Sequence, residues 1–253
     1  MFIVLIVNNK MTSLLTIGQS VARSLRPRTV CFMIPVKTTD EVSLACTRRC
    51  IQSIRRLYPT EPIIVALAED TQPLDVDTII QVKNPYFSTM GCLYLFHIHH
   101  YADYAVILHD SMCVTSRLQN LSTVTYIYDF WNSLDMGDNW QTYRTLMTED
   151  ELQDMLRIQR QGCFGVALGI EHGMVQRCGL LRFVPLIKNK NGLCAMERIV
   201  AYLCTKANIT PTVLCGDIEK IWRRGWDEKN LTLEDVLAKG YPECVYKTFL
   251  ARG

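Results

Sequence analysis

The chain has 253 residues, 49% of them hydrophobic and 21% charged, with a formal net charge of +2. That balance excludes a disordered polymer and carries no global basic signature of a nucleic-acid binder, while the length suffices for a substantial buried core. The eleven cysteines include no C-x-x-C pair and most lie in apolar runs, which disfavours a zinc ribbon or thioredoxin-type site and points to a reducing, cytoplasmic setting.

Residues 1–28 begin with MFIVLIV, an apolar run well short of the roughly 20 residues that span a bilayer. With no basic n-region either, they read as an arm or extra strand, not as a signal peptide or membrane span. Residues 29–253 read as a single domain. Thr29 to Val36 (TVCFMIPV) is a continuous apolar run that suits a strand buried on both faces. Asp40 caps a helix through about Leu57, which Tyr58-Pro59 stops. Pro62 to Ala68 is a second buried strand, ending on Glu69 and Asp70, and Thr78 to Val82 is a short third. Phe87 to Tyr101 reads as a helix and Tyr104 to Ser111 (YAVILHDS) as a buried strand with a polar end. The second half is less regular. Thr123 to Trp131 is β-prone, Glu149 to Arg160 a helix, Cys163 to Leu168 a small-residue strand, Leu193 to Lys206 a helix and Thr212 to Cys215 a strand.

Strand, helix, strand, strand, helix, strand within eighty residues is the pattern of an open, doubly wound, mainly parallel α/β sheet flanked by helices. Ligands bind such sheets beyond the carboxyl ends of the strands. The polar residues there are Lys37 and Thr38, Glu69 and Asp70, and His109, Asp110 and Ser111. No G-x-G-x-x-G follows the first strand, and neither a P-loop nor a G-x-S-x-G elbow is present. An acidic residue at a strand end suits a hard divalent cation, which needs only one or two protein carboxylates when phosphates complete its shell.

Several segments together carry a resemblance. They are Val30 to Pro35, CIQSIRRLYP, PIIVALAED, FSTMGCLYLFH and AVILHDSMCV, then Gly162 to Gly165, Met196 to Ile199 and Gly216 to Ile218. In this order, over residues 29 to 252, they resemble GT-A glycosyltransferases, most of all a group common in large DNA viruses and algae. The resemblance implies transfer of a hexosyl or pentosyl unit from a nucleotide-sugar donor to a hydroxyl of a glycan or other acceptor. It implies a divalent cation (Mn²⁺ or Mg²⁺) and, for a viral protein, the host cytoplasm. Pro35, Val36, Lys37, Asp70 and His109 would line the nucleotide, Asp110 and Asp217 the metal and diphosphate, and Glu197 would be the general base. Two positions depart from the family: Met112 stands where a second D-x-D carboxylate belongs, and Glu219 where a His follows Gly-Asp-Ile.

Simpler readings stand beside these. Asp110, Asp70 and Asp217 suit turns, and Glu197 an ion pair with Arg198 or another Arg. His97, His99 and His100 suit packing, and Arg48, Arg49, Arg55 and Arg56 a solvated helix face. IWRRGW (residues 221–226) suits an Arg-flanked turn or a sugar-stacking surface. A non-catalytic module binding a nucleotide or glycan is the alternative function. A nucleotidyltransferase is disfavoured, because P-V-K-T-T-D replaces the Gly-rich basic loop.

Overall fold

Apolar runs without alternation need cover on both sides, and in the computed structural model they form the middle of a seven-stranded sheet. The structure describes residues 28–36, 41–67, 74–81, 88–131, 140–158, 161–222 and 231–248. The arm or extra strand expected at the N-terminus lies outside them, apart from residue 28. In chain order come β1 (Val30–Val36), α1 (Glu41–Leu57), β2 (Ile63–Leu67), β3 (Thr78–Gln81), α2 (Ser88–His99) and β4 (Tyr104–Ile107). These are followed by β5 (Met112–Val114), β6 (Val124–Tyr126), β7 (Asp129–Phe130), α3 (Trp140–Leu146), α4 (Glu149–Ile158), β8 (Gly162–Cys163) and β9 (Leu168–Glu171). Last come α5 (His172–Arg177), α6 (Lys190–Lys206), β10 (Thr212–Val213), α7 (Ile218–Trp222), α8 (Leu233–Ala238) and β11 (Val245–Lys247).

The sheet runs β10-β6-β9-β4-β1-β2-β3. β3, β2, β1 and β4 are parallel neighbours, β9 is antiparallel to both β4 and β6, and β10 is parallel to β6. The fold is thus α/β with a mixed, mainly parallel sheet. Alternate residues of each central strand feed different cores. Cys31, Met33, Ala105 and Ile107 pack with α2 and α6, while Phe32, Ile34, Val106 and Leu108 pack with α1. α1 presents Cys50, Ile51 and Ile54 to that second core, and Tyr58 just beyond it packs on Phe32 at 4.8 Å between ring centroids.

Three expectations change. Cys163 to Leu168 is not one strand: Gly165 at φ +62° breaks it into β8, a 3-10 turn Phe164–Val166 and β9. The strand expected over Tyr104 to Ser111 ends at Ile107, because the chain turns at His109. Arg49 does not belong to a solvated face. It is 7% exposed, donating to the Leu231 carbonyl and to Thr248 Oγ1 (2.6 Å), while Arg48 and Arg56 remain exposed. A second, two-stranded sheet pairs β5 with β11, antiparallel, over the face of α1, where Ser53 Oγ accepts the Val114 N–H (2.9 Å).

Candidate functional site

The site begins where β4 stops short of β1. Their pairing ends at Met33 opposite Ile107, and Leu108 N–H still reaches the Met33 carbonyl (3.0 Å). The chain then turns through His109, Asp110 and Ser111, closed by Met112 N–H donating to the His109 carbonyl (3.0 Å). β1 continues to Val36 against β2 alone, and the register, continued, sets Pro35 level with His109. Backbone groups of alternate residues face alternate neighbours. Pro35 shares the parity of Met33 and faces the side that β4 has left, so its missing N–H removes no ladder bond. Pro35 and Val36 therefore border the turn at the carboxyl end of the parallel strands, where sequence reasoning put them.

Gly165 gathers the next residues. Its N–H donates to Glu197 Oε1 on α6 (2.9 Å), and its carbonyl accepts from His109 Nε2 (2.8 Å) and from Thr89 Oγ1 of α2 (3.2 Å). A carbonyl only accepts, so Nε2 carries the ring proton and Nδ1 presents its lone pair. The positive φ orients both peptide groups, and no side chain fits there: a Cβ would lie 2.1 Å from His109 Cε1. Glu197 is half-buried, and its carboxylate is fixed in direction by that hydrogen bond.

Lys247, at the end of β11, closes the arrangement and was not foreseen. Its partner in the β5 register is Met112. The ammonium donates to Ser111 Oγ and lies 3.4 Å from His109 Nδ1. His109 keeps an accessible edge, yet its surroundings push its pKa down to about 3, through burial first and the Lys247 charge second, against the opposing Gly165 carbonyl. It is a neutral imidazole at pH 7. Behind Ser111, Thr248 Oγ1 donates to the Ser111 carbonyl (2.9 Å) and accepts from Arg49. Arg49 also walls a cleft of about 740 Å³ between α1 and residues 231–234. Glu41, Arg48, Gln52 and Glu234 line that cleft without a single dominant charge, and the carboxylates and His109 of the turn are not among its walls.

The remaining candidates are placed as follows. Asp217 caps α7, its Oδ1 accepting the Glu219 N–H (2.9 Å), and its backbone bridges Asp129 of β7. Asp129, 6% exposed and also not foreseen, accepts from Trp131 Nε1 and Gln161 Nε2, each at 2.8 Å. Lys37 and Asp70 lie outside the described residues. His97 and His100 pack against His172, with the His100 and His172 rings stacked at 3.7 Å.

A Mn²⁺ or Mg²⁺ ion at this turn has Asp110 as its nearby carboxylate, since Met112 is fully buried in β5 and Asp217 stands on α7 with its own capping bond. Among the described residues no group of three or more His, Cys, Asp or Glu is placed to hold a metal ion. Charges of both signs meet at the turn: Asp110 within it, Lys247 bonded to Ser111, and Arg49 behind Thr248. The described residues do not form a two-carboxylate metal clamp. No described helix is long and apolar enough to cross a membrane.

No family profile matches the chain, and no curated protein matches it. Among solved structures it is similar to the apo form of the bifunctional glycosyltransferase WbbM, at 13% identity and a TM-score of 0.44 over 75% of this chain and 39% of that one. The chain therefore spans about two fifths of WbbM's length. It is also similar to the galactosyltransferase LgtC in complex with donor and acceptor sugar analogues, at 8% identity and a TM-score of 0.38 over 88% of this chain and 87% of that one.

Proposed function

We propose that this protein is a GT-A-type glycosyltransferase that moves a sugar from a nucleotide-diphosphate sugar to a hydroxyl of a glycan or other acceptor. The observation that carries the reading is the convergence on Gly165. A carboxylate from α6 and an imidazole from the end of β4 are held by the two peptide groups of one residue, beyond the carboxyl ends of the parallel strands, where open α/β sheets in general bind ligands.

In this reading Pro35 and Val36, with Lys37 and Asp70, border the nucleoside, and His109 and Asp110 face the diphosphate. Glu197 takes the proton of the acceptor hydroxyl as its oxygen bonds to the anomeric carbon. The bond from that carbon to the diphosphate breaks, and its electron pair leaves with the nucleoside diphosphate. A direct displacement of this kind inverts configuration. The divalent cation that the resemblance implies has Asp110 to hold it, and Asp217 takes the cap of α7 in place of a metal role.

A second reading keeps nucleotide or glycan binding without transfer. It is favoured by Met112, which leaves the turn one carboxylate short, and by the Gly165 bond that already gives Glu197 a structural task. Release of nucleoside diphosphate from a panel of nucleotide sugars, with and without acceptor glycans, separates the two. For the transferase, Glu197→Gln lowers kcat by about 10²- to 10⁴-fold with donor KM little changed and the circular dichroism spectrum intact. Asp110→Ala raises donor KM. Unchanged turnover in Glu197→Gln removes the base role, and tight nucleotide binding with no turnover in the wild type establishes the binding module.

A further inference from the structure

We propose that Cys215 and Cys244 are a reversible dithiol–disulfide pair, whose oxidation fastens β11 to the segment that extends β10. The inference is independent of the glycosyltransferase reading.

Two segments from different sheets bring the pair together. Past β10 the chain keeps to the line of β6: Leu214 N–H donates to the Tyr126 carbonyl (3.0 Å) and Cys215 N–H to the Ile127 carbonyl (2.9 Å). Cys244 stands just before β11, and its carbonyl accepts Thr115 N–H (2.9 Å) beyond the end of β5. Val245 and Val114 are therefore a pair that exchanges no hydrogen bonds, and the peptide groups of Val245 point away from β5. They point toward the chain leaving β6, where the Tyr128 hydroxyl donates to the Val245 carbonyl. The Val245 N–H serves the sulfurs of Cys215 and Cys244, which are 3.7 Å apart in space and 29 residues apart in sequence.

Contact and access coincide here. Both thiols are half-buried, within reach of a small oxidant. Cys178 and Cys204 are also hydrogen-bonded to each other, but they are only 4% and 0% exposed. Thiol–disulfide exchange starts from a thiolate, and Cys244 is the one that ionises. The bond from the Cys215 thiol, with the Cys244 and Val245 N–H groups, holds its pKa below the ordinary thiol value against burial and the Glu243 carboxylate. Cys215, the donor, is raised by that same bond and then by burial.

The oxidant is a small disulfide of the glutathione class. The Cys244 thiolate attacks one of its sulfurs, the S–S bond breaks, and one small thiolate leaves with the electron pair and takes a proton from solvent. Cys215 then gives its proton to solvent and attacks the Cys244 sulfur, and the second small thiolate leaves and is protonated. The two cysteines lose two electrons and two protons, and the small disulfide becomes two thiols. The sulfurs close from 3.7 Å to about 2.05 Å. Among the described residues β11 has one ladder partner, β5, so the new bond holds it from its other side.

The test equilibrates the full chain with glutathione and glutathione disulfide at a series of ratios. Free thiols are then blocked with N-ethylmaleimide and the peptides mapped without reduction. The expected result is a single intramolecular Cys215–Cys244 linkage that dithiothreitol reverses. Oxidation raises the melting temperature by about 5 °C and slows amide exchange at Val245–Lys247 by about tenfold or more. In Cys215→Ser the oxidant leaves glutathione on Cys244, whereas in Cys244→Ser it leaves Cys215 free. Both thiols still blocked as free in the wild type under glutathione disulfide alone overturns the proposal, with no variant needed. Preferred linkage of either cysteine elsewhere, or of Cys178 to Cys204, also overturns it. So does a Cys215–Cys244 bond that leaves exchange in β11 unchanged.

Discussion

At φ +62°, Gly165 aims its N–H at Glu197 and its carbonyl at His109 within a single residue. An L-residue held in that region is strained by roughly 1–2 kcal/mol, before counting the collision of its Cβ with the His109 ring. The arrangement also fixes how His109 titrates. Its folded pKa of about 3 lies below the ordinary value of 6.5, so below pH 6.5 the unfolded chain binds a proton that the folded chain refuses. The stability due to the neutral ring is present above pH 6.5 and is lost as pH falls from 6.5 toward 3. The slope is at most about 1.4 kcal/mol per pH unit. Melting temperatures of the wild type and His109→Gln between pH 7.5 and 5 should show the shallower decline in the variant, and parallel declines would contradict this. His109, Asp110 and Glu197 were visible in the sequence as polar groups at a strand end and in an otherwise apolar helix stretch. The joint attachment of His109 and Glu197 to Gly165 was not, because it depends on a left-handed residue joining elements far apart in the chain. Lys247 was missed for a plainer reason: one lysine in Val-Tyr-Lys looks like the wet side of any short strand.

Elements with long apolar runs announced themselves, and short ones did not. β1, β2 and β4 are covered on both faces, so their residues need not alternate, and the run itself is the signal. β5 and β11 have three residues each, too few for a period to show, yet their pairing delivers Lys247. α1 shows a further dependence on distant groups. Its Arg55 donates to Asp77 Oδ2 (2.5 Å), and the same oxygen accepts Ile63 N–H at the start of β2 (2.7 Å). Burial alone would raise the Asp77 carboxyl, but the Ile63 N–H and Arg55 outweigh it and hold it below the usual range. One carboxylate thus clasps the end of α1, the start of β2 and the entry to β3. Asp77→Ala should lower the unfolding free energy by about 1–2 kcal/mol, read as a lower urea midpoint. Nucleoside diphosphate affinity should not change, since the clasp sits at the amino end of β2 and the site at the carboxyl ends. A loss of affinity in that variant would mean that the two ends of the sheet are coupled.

For the molecule as a whole, the mixed sheet sets where stability is concentrated. β1, β4 and β9 each have a strand on both sides and mostly buried side chains, whereas β3 and β10 form the edges, with Ile79 44% exposed. Native-state hydrogen exchange should be slowest for amides of β1, β4 and β9, and earliest for β3 and β10; equal protection at the edges would refute this ordering. The parallel half of the sheet was legible because strand and helix alternate there in sequence. The antiparallel insertion of β9 between β4 and β6 was not, because nothing local in Leu168–Glu171 states which strands it will join. The β5–β11 pairing shows the same dependence on distance. Ser111 and Lys247 are 136 residues apart, so during synthesis the acidic turn leaves the ribosome long before its lysine. Until that late segment docks, the turn lacks the Lys247 bond to Ser111 and the Thr248 bond to the Ser111 carbonyl. The turn is therefore completed only when the last strand docks, after the central sheet has had every opportunity to form.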